Sequence, residues 1–119
     1  MDKTITIDGQ PVVFRKTAGT AHRYQTQFGR ELHADLLKLY EFQARLKDCK
    51  SKDDQIRAYM GAETAWVYDV LFIMAQQADP TITDVDTWLD RFDSLDVWAV
   101  LNELYPMLIA EARPSPKNA

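Results

Sequence analysis

Residues 66–75 of the chain read Trp66-Val67-Tyr68-Asp69-Val70-Leu71-Phe72-Ile73-Met74-Ala75. Wound as a helix at about 100° per residue, this segment is apolar on every side except at Asp69. A helix of this kind is stable in water only when other structure surrounds it. The segment is therefore predicted to lie at the centre of a helical bundle or to be half covered by another chain.

The apolar segment belongs to a longer predicted helix that begins near Asp53 and ends at Gln77, before the stop signal Asp79-Pro80. One small bundle need not cover every apolar stripe of such a helix. A stripe left uncovered marks a surface for partner binding or for self-association. Core packing is the other interpretation of the same residues. Three large side chains share one stripe and are the candidate partner-binding residues: Tyr59, Trp66 and Ile73.

An N-terminal β-hairpin is predicted over residues 3–16. Asp8-Gly9 lies between two alternating runs, and this dipeptide supplies the positive φ angles of a two-residue type I′ turn. In the resulting register Ile5 faces Val12. A lone hairpin is marginally stable in water, so its apolar face is expected to pack on the helices. That face consists of Ile5, Ile7, Val12 and Phe14.

The remaining helices are predicted from capping residues and helical spacing. Helices are expected over residues 20–28 and 31–47, and two more after Thr83 and Ser94, which can cap them. Pro106 is expected to kink or divide the last helix, because proline removes a backbone donor and clashes with the preceding turn.

The predicted fold is therefore mainly α, with a hairpin at 3–16 and a bundle of about five helices at 20–112. A chain of 119 residues suits a single domain, here residues 1–112. Residues 113–119 contain two prolines and little apolar surface, and they are predicted to form a disordered tail that folding does not need.

Composition and charge exclude several classes of partner. The net charge is −4, whereas a nucleic-acid binder carries a basic face, so no nucleic acid is expected. The single cysteine, Cys49, permits no intrachain disulfide and fits a reducing compartment. The N-terminus lacks the apolar region of a signal peptide, and the apolar stretch 65–75 is too short to cross a bilayer. The expected location is the cytoplasm, with no membrane contact.

Sequence patterns that carry catalysis or cofactor binding are missing. There is no glycine-rich phosphate loop, no Gly-x-Ser-x-Gly elbow, and no CxxC or HExxH ligand spacing. His22 and His33 are too far apart on one helix to share a metal ion. The acidic cluster between Asp84 and Asp96 is typical of helix N-terminal charge and a solvated face. We therefore expect no enzyme, no catalytic residues, no cofactor and no metal site.

Two carboxylates stand out because their helix is otherwise apolar around them, namely Glu63 and Asp69. A buried carboxylate is costly unless it is paired. One interpretation is a rim position or a salt bridge, although Arg57, six residues before Glu63, is not an obvious partner. The other is a polar contact inside a protein–protein interface.

Two stretches of the chain resemble the short tail assembly chaperones of long-tailed (siphovirus-like) bacteriophages and prophages. Together they cover about a third of the chain. The first reads Thr4-Ile5-Thr6-Ile7-Asp8-Gly9-Gln10-Pro11-Val12-Val13-Phe14-Arg15-Lys16-Thr17-Ala18-Gly19-Thr20, followed by Arg23-Tyr24 and Phe28-Gly29-Arg30-Glu31-Leu32. The second reads Trp88-Leu89-Asp90-Arg91-Phe92, followed by Leu95-Asp96-Val97-Trp98.

The resemblance implies a binding protein without enzymatic activity or cofactor. Such chaperones bind the tape-measure protein in the host cytoplasm, keep its long apolar helices soluble and help to recruit tail-tube subunits around it. The tape-measure protein and the tail-tube protein are therefore the expected partners. The alternative is an unrelated small helical adaptor for protein interactions that also lacks catalytic activity.

Overall fold

The computed structural model describes residues 1–110 and shows a mainly helical protein with an N-terminal antiparallel hairpin, as predicted. The hairpin consists of β1 (Asp2–Ile7) and β2 (Gln10–Arg15). Within the described residues six helices follow: α1 (Thr20–Phe28), α2 (Leu32–Asp48), α3 (Lys52–Gly61), α4 (Ala65–Ala78), α5 (Val85–Leu89) and α6 (Val97–Leu108). The predicted domain end at residue 112 and the predicted tail at 113–119 lie outside the described residues.

The hairpin has the predicted register. Ile5 lies opposite Val12, and the turn residues have positive φ angles, 51° at Asp8 and 76° at Gly9. Such angles at both central residues are typical of the type I′ turn, whose twist matches that of the strands. The predicted apolar face is the one that packs, since Ile5, Ile7 and Phe14 are buried and Val12 is partly buried against the core.

Helix α4 occupies the centre of the fold, which confirms the first of the two placements predicted for its apolar sequence. The hairpin, α1, α5 and α6 all pack against it. Its apolar segment is thereby enclosed by elements of the same chain. The buried residues of α4 are Trp66, Val67, Val70, Leu71, Phe72, Ile73, Met74 and Ala75.

Polar contacts hold the hairpin in place at both ends. At the turn, Asp8 Oδ2 accepts a hydrogen bond from the backbone N–H of Asp93 at 2.9 Å. Just beyond the open end, the Gln77 side chain of α4 donates a hydrogen bond to Thr17 Oγ1 at 2.9 Å. The Arg15 guanidinium also donates to the carbonyl of Gln77 at 3.4 Å. The hairpin is thus tied to both α4 and the segment between α5 and α6.

The prediction of one continuous helix over residues 53–77 is wrong. Helix α3 ends at Gly61, Ala62 is extended (φ −79°, ψ 145°), and α4 begins at Ala65. A straight helix of that length would run for about 37 Å and carry its polar first half away from the body. The break lets α3 fold back against α2 instead. Gly61, a poor helix former, lies at the point where the helix ends.

The caps of the last two helices differ from the prediction by one or two residues. Helix α5 is capped by Asp84 rather than Thr83, and α6 by Asp96 rather than Ser94. In each case a carboxylate oxygen accepts a hydrogen bond from a backbone N–H of the first turn. An aspartate caps as well as a hydroxyl does, and its charge also interacts favourably with the helix dipole.

Pro106 does not divide the last helix, which continues through it to Leu108. A proline at this position deletes the hydrogen bond that its N–H would donate to the carbonyl of Asn102. Asn102 is exposed, so water can replace that donor. The helix ends two residues later, which confines the disturbance to its last turn.

Candidate functional site

A buried polar network positions α2 for the candidate site. The Asp35 carboxylate of α2 is buried and receives hydrogen bonds from Tyr24 Oη at 2.6 Å and Arg30 Nε at 3.0 Å. Lys38 Nζ lies 3.0 Å from its other oxygen. The guanidinium of Arg30 also pairs with Asp69 of α4. This network therefore ties α2 to both α1 and α4.

The ionisation states in the network follow from these contacts. Burial alone would raise the pKa of Asp35, but the hydrogen bonds from Tyr24, Lys38 and Arg30 outweigh burial and hold that pKa below its usual value. Burial and the hydrogen bond to Asp35 raise the pKa of the Tyr24 hydroxyl. At neutral pH Asp35 is therefore ionised and Tyr24 is a proton donor.

The two carboxylates noted in the sequence have partners within the chain. Asp69 pairs with Arg30, which lies 39 positions earlier, and Arg57 pairs with Asp54 rather than with Glu63. Glu63 is exposed and its carboxylate lies 3.7 Å from Lys38 Nζ. Of the two interpretations, the salt bridge describes both residues.

Four aromatic rings meet where α2, α3, α4 and α6 converge. Phe42 and Trp98 are stacked, with ring centroids 4.7 Å apart. Tyr59 of α3 packs edge-on against Phe42 at 5.1 Å. Trp66 of α4 packs edge-on against Trp98 at 6.3 Å. Such offset and edge-to-face pairs are favourable beyond the area they bury.

A surface cleft of about 210 Å³ opens beside these rings, and we call it the aromatic cleft. Phe42, Trp66 and Trp98 form its apolar lining, and Gly61 and Ala62 line the side where α3 ends. Its remaining lining residues are charged, with both signs present: Lys38, Glu41, Arg45 and Glu63. Of the three rings, Trp98 is partly exposed, whereas Phe42 and Trp66 are almost fully buried. The cleft therefore presents one accessible aromatic ring among charged side chains, and interfaces likewise surround aromatic residues with a polar rim.

Helix α3 forms the outer wall of this region and is itself poorly covered. None of its ten residues is buried. Its apolar residues Ile56, Tyr59 and Met60 are 47 %, 44 % and 84 % exposed, and we call these three the α3 surface. On α2, Leu37 and Tyr40 are also exposed. Exposed large apolar side chains that lie close together, as on α3, are typical of an interaction surface.

The three predicted partner-binding residues do not share one surface. Tyr59 is partly exposed on α3, whereas Trp66 and Ile73 are 3 % and 1 % exposed within α4. The single stripe assumed for them does not exist, because the helix is broken at Ala62. Tyr59 and Trp66 nevertheless meet the same ring, that of Trp98. Ile73 lies in the core.

Phe42 and Trp98 belong to the site but are not among the predicted site residues. Phe42 is buried on α2, three positions after the buried Leu39. Trp98 of α6 is partly buried and stacks on it. Helical spacing indicates that Phe42 packs inward, but not that Tyr59 and Trp98 come to lie against it.

Other features of the described residues do not form a site. His22 and His33 are both exposed. Within residues 1–110, no three His, Cys, Asp or Glu side chains are grouped closely enough to hold a metal ion. Nor is any helix of that part of the chain long and apolar enough to cross a membrane.

Comparisons of the chain with protein-family models, with curated proteins and with solved structures give no match.

Proposed function

We propose that this protein is a phage tail assembly chaperone that binds apolar helical segments of the tape-measure protein in the host cytoplasm and helps to recruit tail-tube subunits. The observation that carries the proposal is the α3 surface, which leaves Ile56, Tyr59 and Met60 exposed on a helix with no buried residue. The resemblance of residues 4–32 and 88–98 to such chaperones supplies the identity of the partners. The proposed role is binding, without catalysis or a cofactor.

The spacing of the α3 surface suits a helical partner. Positions 56, 59 and 60 follow the i, i+3, i+4 pattern and lie on one side of the helix. Amphipathic helices are recognised through anchors with this spacing. Covering a fully exposed large apolar side chain contributes roughly 1.5–3 kcal/mol, so this surface favours association before the entropy of binding is subtracted.

The charge of the protein suits a role in keeping a partner soluble. A long helix with an uncovered apolar stripe aggregates through that stripe. Binding to a protein of net charge −4 covers the stripe and adds charge that opposes self-association of the complex.

Co-expression tests the proposal directly. The proposal expects a long tape-measure protein to be encoded beside this gene. That protein is produced alone and together with the chain, and its soluble fraction is measured. We expect the tape-measure protein to become soluble and to co-purify only when the chain is present. If the chain neither solubilises nor co-purifies with it, the proposed function is wrong. Binding to unrelated amphipathic helices in that case favours the alternative, a small helical adaptor.

A pair of lysine variants tests the α3 surface. The double variant Ile56→Lys, Met60→Lys is expected to lose co-purification while its melting temperature stays close to that of the wild type, because both side chains are exposed. Val13→Lys is the matched control, since Val13 is also exposed but lies on the hairpin. Equal binding by the double variant and the control would place the contact elsewhere.

A further inference from the structure

We propose that the aromatic cleft is an anchor pocket that receives one bulky apolar side chain from a partner helix, and that this residue is flanked on the partner by charged residues of both signs. The identity of the partner rests on the proposed function. The anchor pocket itself rests on the size, lining and charges of the cleft.

The size of the cleft suits a single side chain. Its volume of about 210 Å³ is below the range of roughly 300–1,000 Å³ that pockets for small-molecule ligands occupy. Among its lining residues, the partly exposed Trp98 ring offers a contact surface to an aliphatic or aromatic group. Interfaces concentrate their binding energy in anchors of this kind, which insert into a dry pocket surrounded by polar contacts.

Two charged residues on the rim of the cleft are available to form ion pairs with a partner protein. Glu41 and Arg45 stand at i, i+4 on α2, the spacing at which such residues pair, yet neither forms an ion pair with any described residue. The Arg45 guanidinium lies over the Phe42 ring instead, 5.7 Å from its centroid. Lys38, in contrast, is already held by Asp35 and Glu63.

This arrangement identifies the chemistry of the occupant. A helix that crosses α2 with an apolar residue in the cleft brings its neighbouring turns over Glu41 and Arg45. A basic residue on one of these turns and an acidic residue on the other would complement both rim charges. An amphipathic helix with a large apolar anchor between opposite charges therefore fits the cleft, whereas a uniformly acidic or basic segment meets one like charge.

Gly61 offers a way to fill the cleft from within. It lines the cleft, and a Cβ atom placed on it meets no other atom within 4 Å. Its backbone has no positive φ angle, so a larger residue introduces no strain there. Leucine is also a better helix former than glycine. In the variant Gly61→Leu, the leucine side chain is thus expected to occupy the cleft while the melting temperature stays the same or rises. Gly61→Ala is the control, because it also replaces glycine by a better helix former but leaves the cleft open.

The first experiment needs no phage partner. The fluorescent probe 1-anilinonaphthalene-8-sulfonate, which brightens on apolar surface, is titrated into the full chain and both variants. We expect the wild type and Gly61→Ala to bind the probe, and Gly61→Leu to lose most of the fluorescence enhancement without a fall in melting temperature. Equal enhancement in all three proteins overturns the anchor pocket.

The second experiment uses the tape-measure protein as the probe. Gly61→Leu is expected to bind it at least about ten-fold more weakly than Gly61→Ala, the loss typical of an excluded anchor residue. Exchanging the rim charges with Glu41→Arg, Arg45→Glu keeps the net charge and is expected to weaken binding at low salt. Wild-type binding that none of these variants alters overturns the inference but leaves the proposed function standing. If Gly61→Leu loses the fluorescence enhancement but the wild type does not bind the tape-measure protein, the anchor pocket stands and the proposed function is wrong.

Discussion

At the scale of single residues, Asp35 shows how a buried charge is kept in this fold. Its carboxylate is almost removed from water but is surrounded by Tyr24, Arg30 and Lys38. Arg30 and Lys38 reach solvent with their outer atoms, so the positive charges are not fully desolvated. The network therefore avoids most of the penalty that a buried ion pair normally carries.

We expect Asp35→Asn to destabilise the protein by about 1.5–3 kcal/mol at neutral pH, the value of hydrogen bonds to a charged group. The folded-state pKa of Asp35 lies below its unfolded value of about 3.9. The stability that Asp35 contributes is therefore fully present above about pH 4 and is lost as pH falls through the folded pKa. Urea unfolding from about pH 7 down to about pH 2.5 measures this difference.

The control for this prediction is a variant at an exposed carboxylate. Glu63→Gln removes a carboxylate that is exposed and should change stability little at any pH. The gap between the wild type and Asp35→Asn should narrow in acid, whereas the gap for Glu63→Gln should stay small throughout. A gap for Asp35→Asn that is the same in acid as at neutral pH would show that its charge is unimportant.

The partners within this network could not be predicted from sequence. Arg30 and Asp69 are separated by 39 positions, and nothing in the spacing of either residue indicates the other. Helical periodicity shows that Asp69 is enclosed by apolar residues but not which loop brings a cation to it. Side-chain pairs between distant elements depend on the packing of the whole chain.

At the scale of elements, the sequence predicted the structure correctly where one residue type dictates the local backbone conformation. Asp8-Gly9 predicts the position of the turn, and the turn fixes the pairing of Ile5 with Val12. A shift of the register by one residue would move every side chain of the strand to the opposite face. Gly29 ends α1 in a left-handed conformation with φ of 70°, directly after the predicted helix end at residue 28. The break between α3 and α4 carries no comparable signal, since Ala62 and Glu63 are compatible with a helix. Tertiary packing places that break.

The hairpin depends on Phe14, whose side chain is fully buried and meets the Trp88 ring at a centroid distance of 6.3 Å. Phe14→Ala is expected to lower the free energy of unfolding by about 3–5 kcal/mol, through lost burial and the cavity left behind. Val13→Ala, on the exposed face of the same strand, is the control and should change stability by about 1 kcal/mol at most. Chemical denaturation measures both, and similar losses would mean that the hairpin does not pack as described.

At the scale of the whole molecule, the two sides of the protein differ in what remains uncovered. The hairpin, α1, α5 and α6 enclose α4, and their apolar residues are largely buried in the core as a result. On the α2–α3 side, apolar residues remain exposed and the aromatic cleft remains open. The fold class could be predicted because it follows from α4 and the hairpin. The cleft could not, because it forms only where four helices meet.

The apolar character of this side predicts how binding responds to salt. Raising the salt concentration from about 0.1 M to about 1 M shortens the Debye length from about 10 Å to about 3 Å. Binding that rests on the α3 surface and on an anchor in the cleft should weaken little, because only the rim charges are screened. Calorimetry of the proposed complex with the tape-measure protein across this range measures the change in affinity, and a loss of several orders of magnitude would mean that charge dominates binding.

The position of α4 late in the chain also has a consequence for synthesis on the ribosome. The hairpin ends at Arg15, and the helix on which it packs is complete only at Ala78, 63 residues later. At translation rates of about 5–20 residues per second, this interval lasts roughly 3–13 seconds. A hairpin alone is marginally stable, so the nascent chain emerges with Ile5, Ile7 and Phe14 uncovered and acquires its stable form only after α4 has left the exit tunnel.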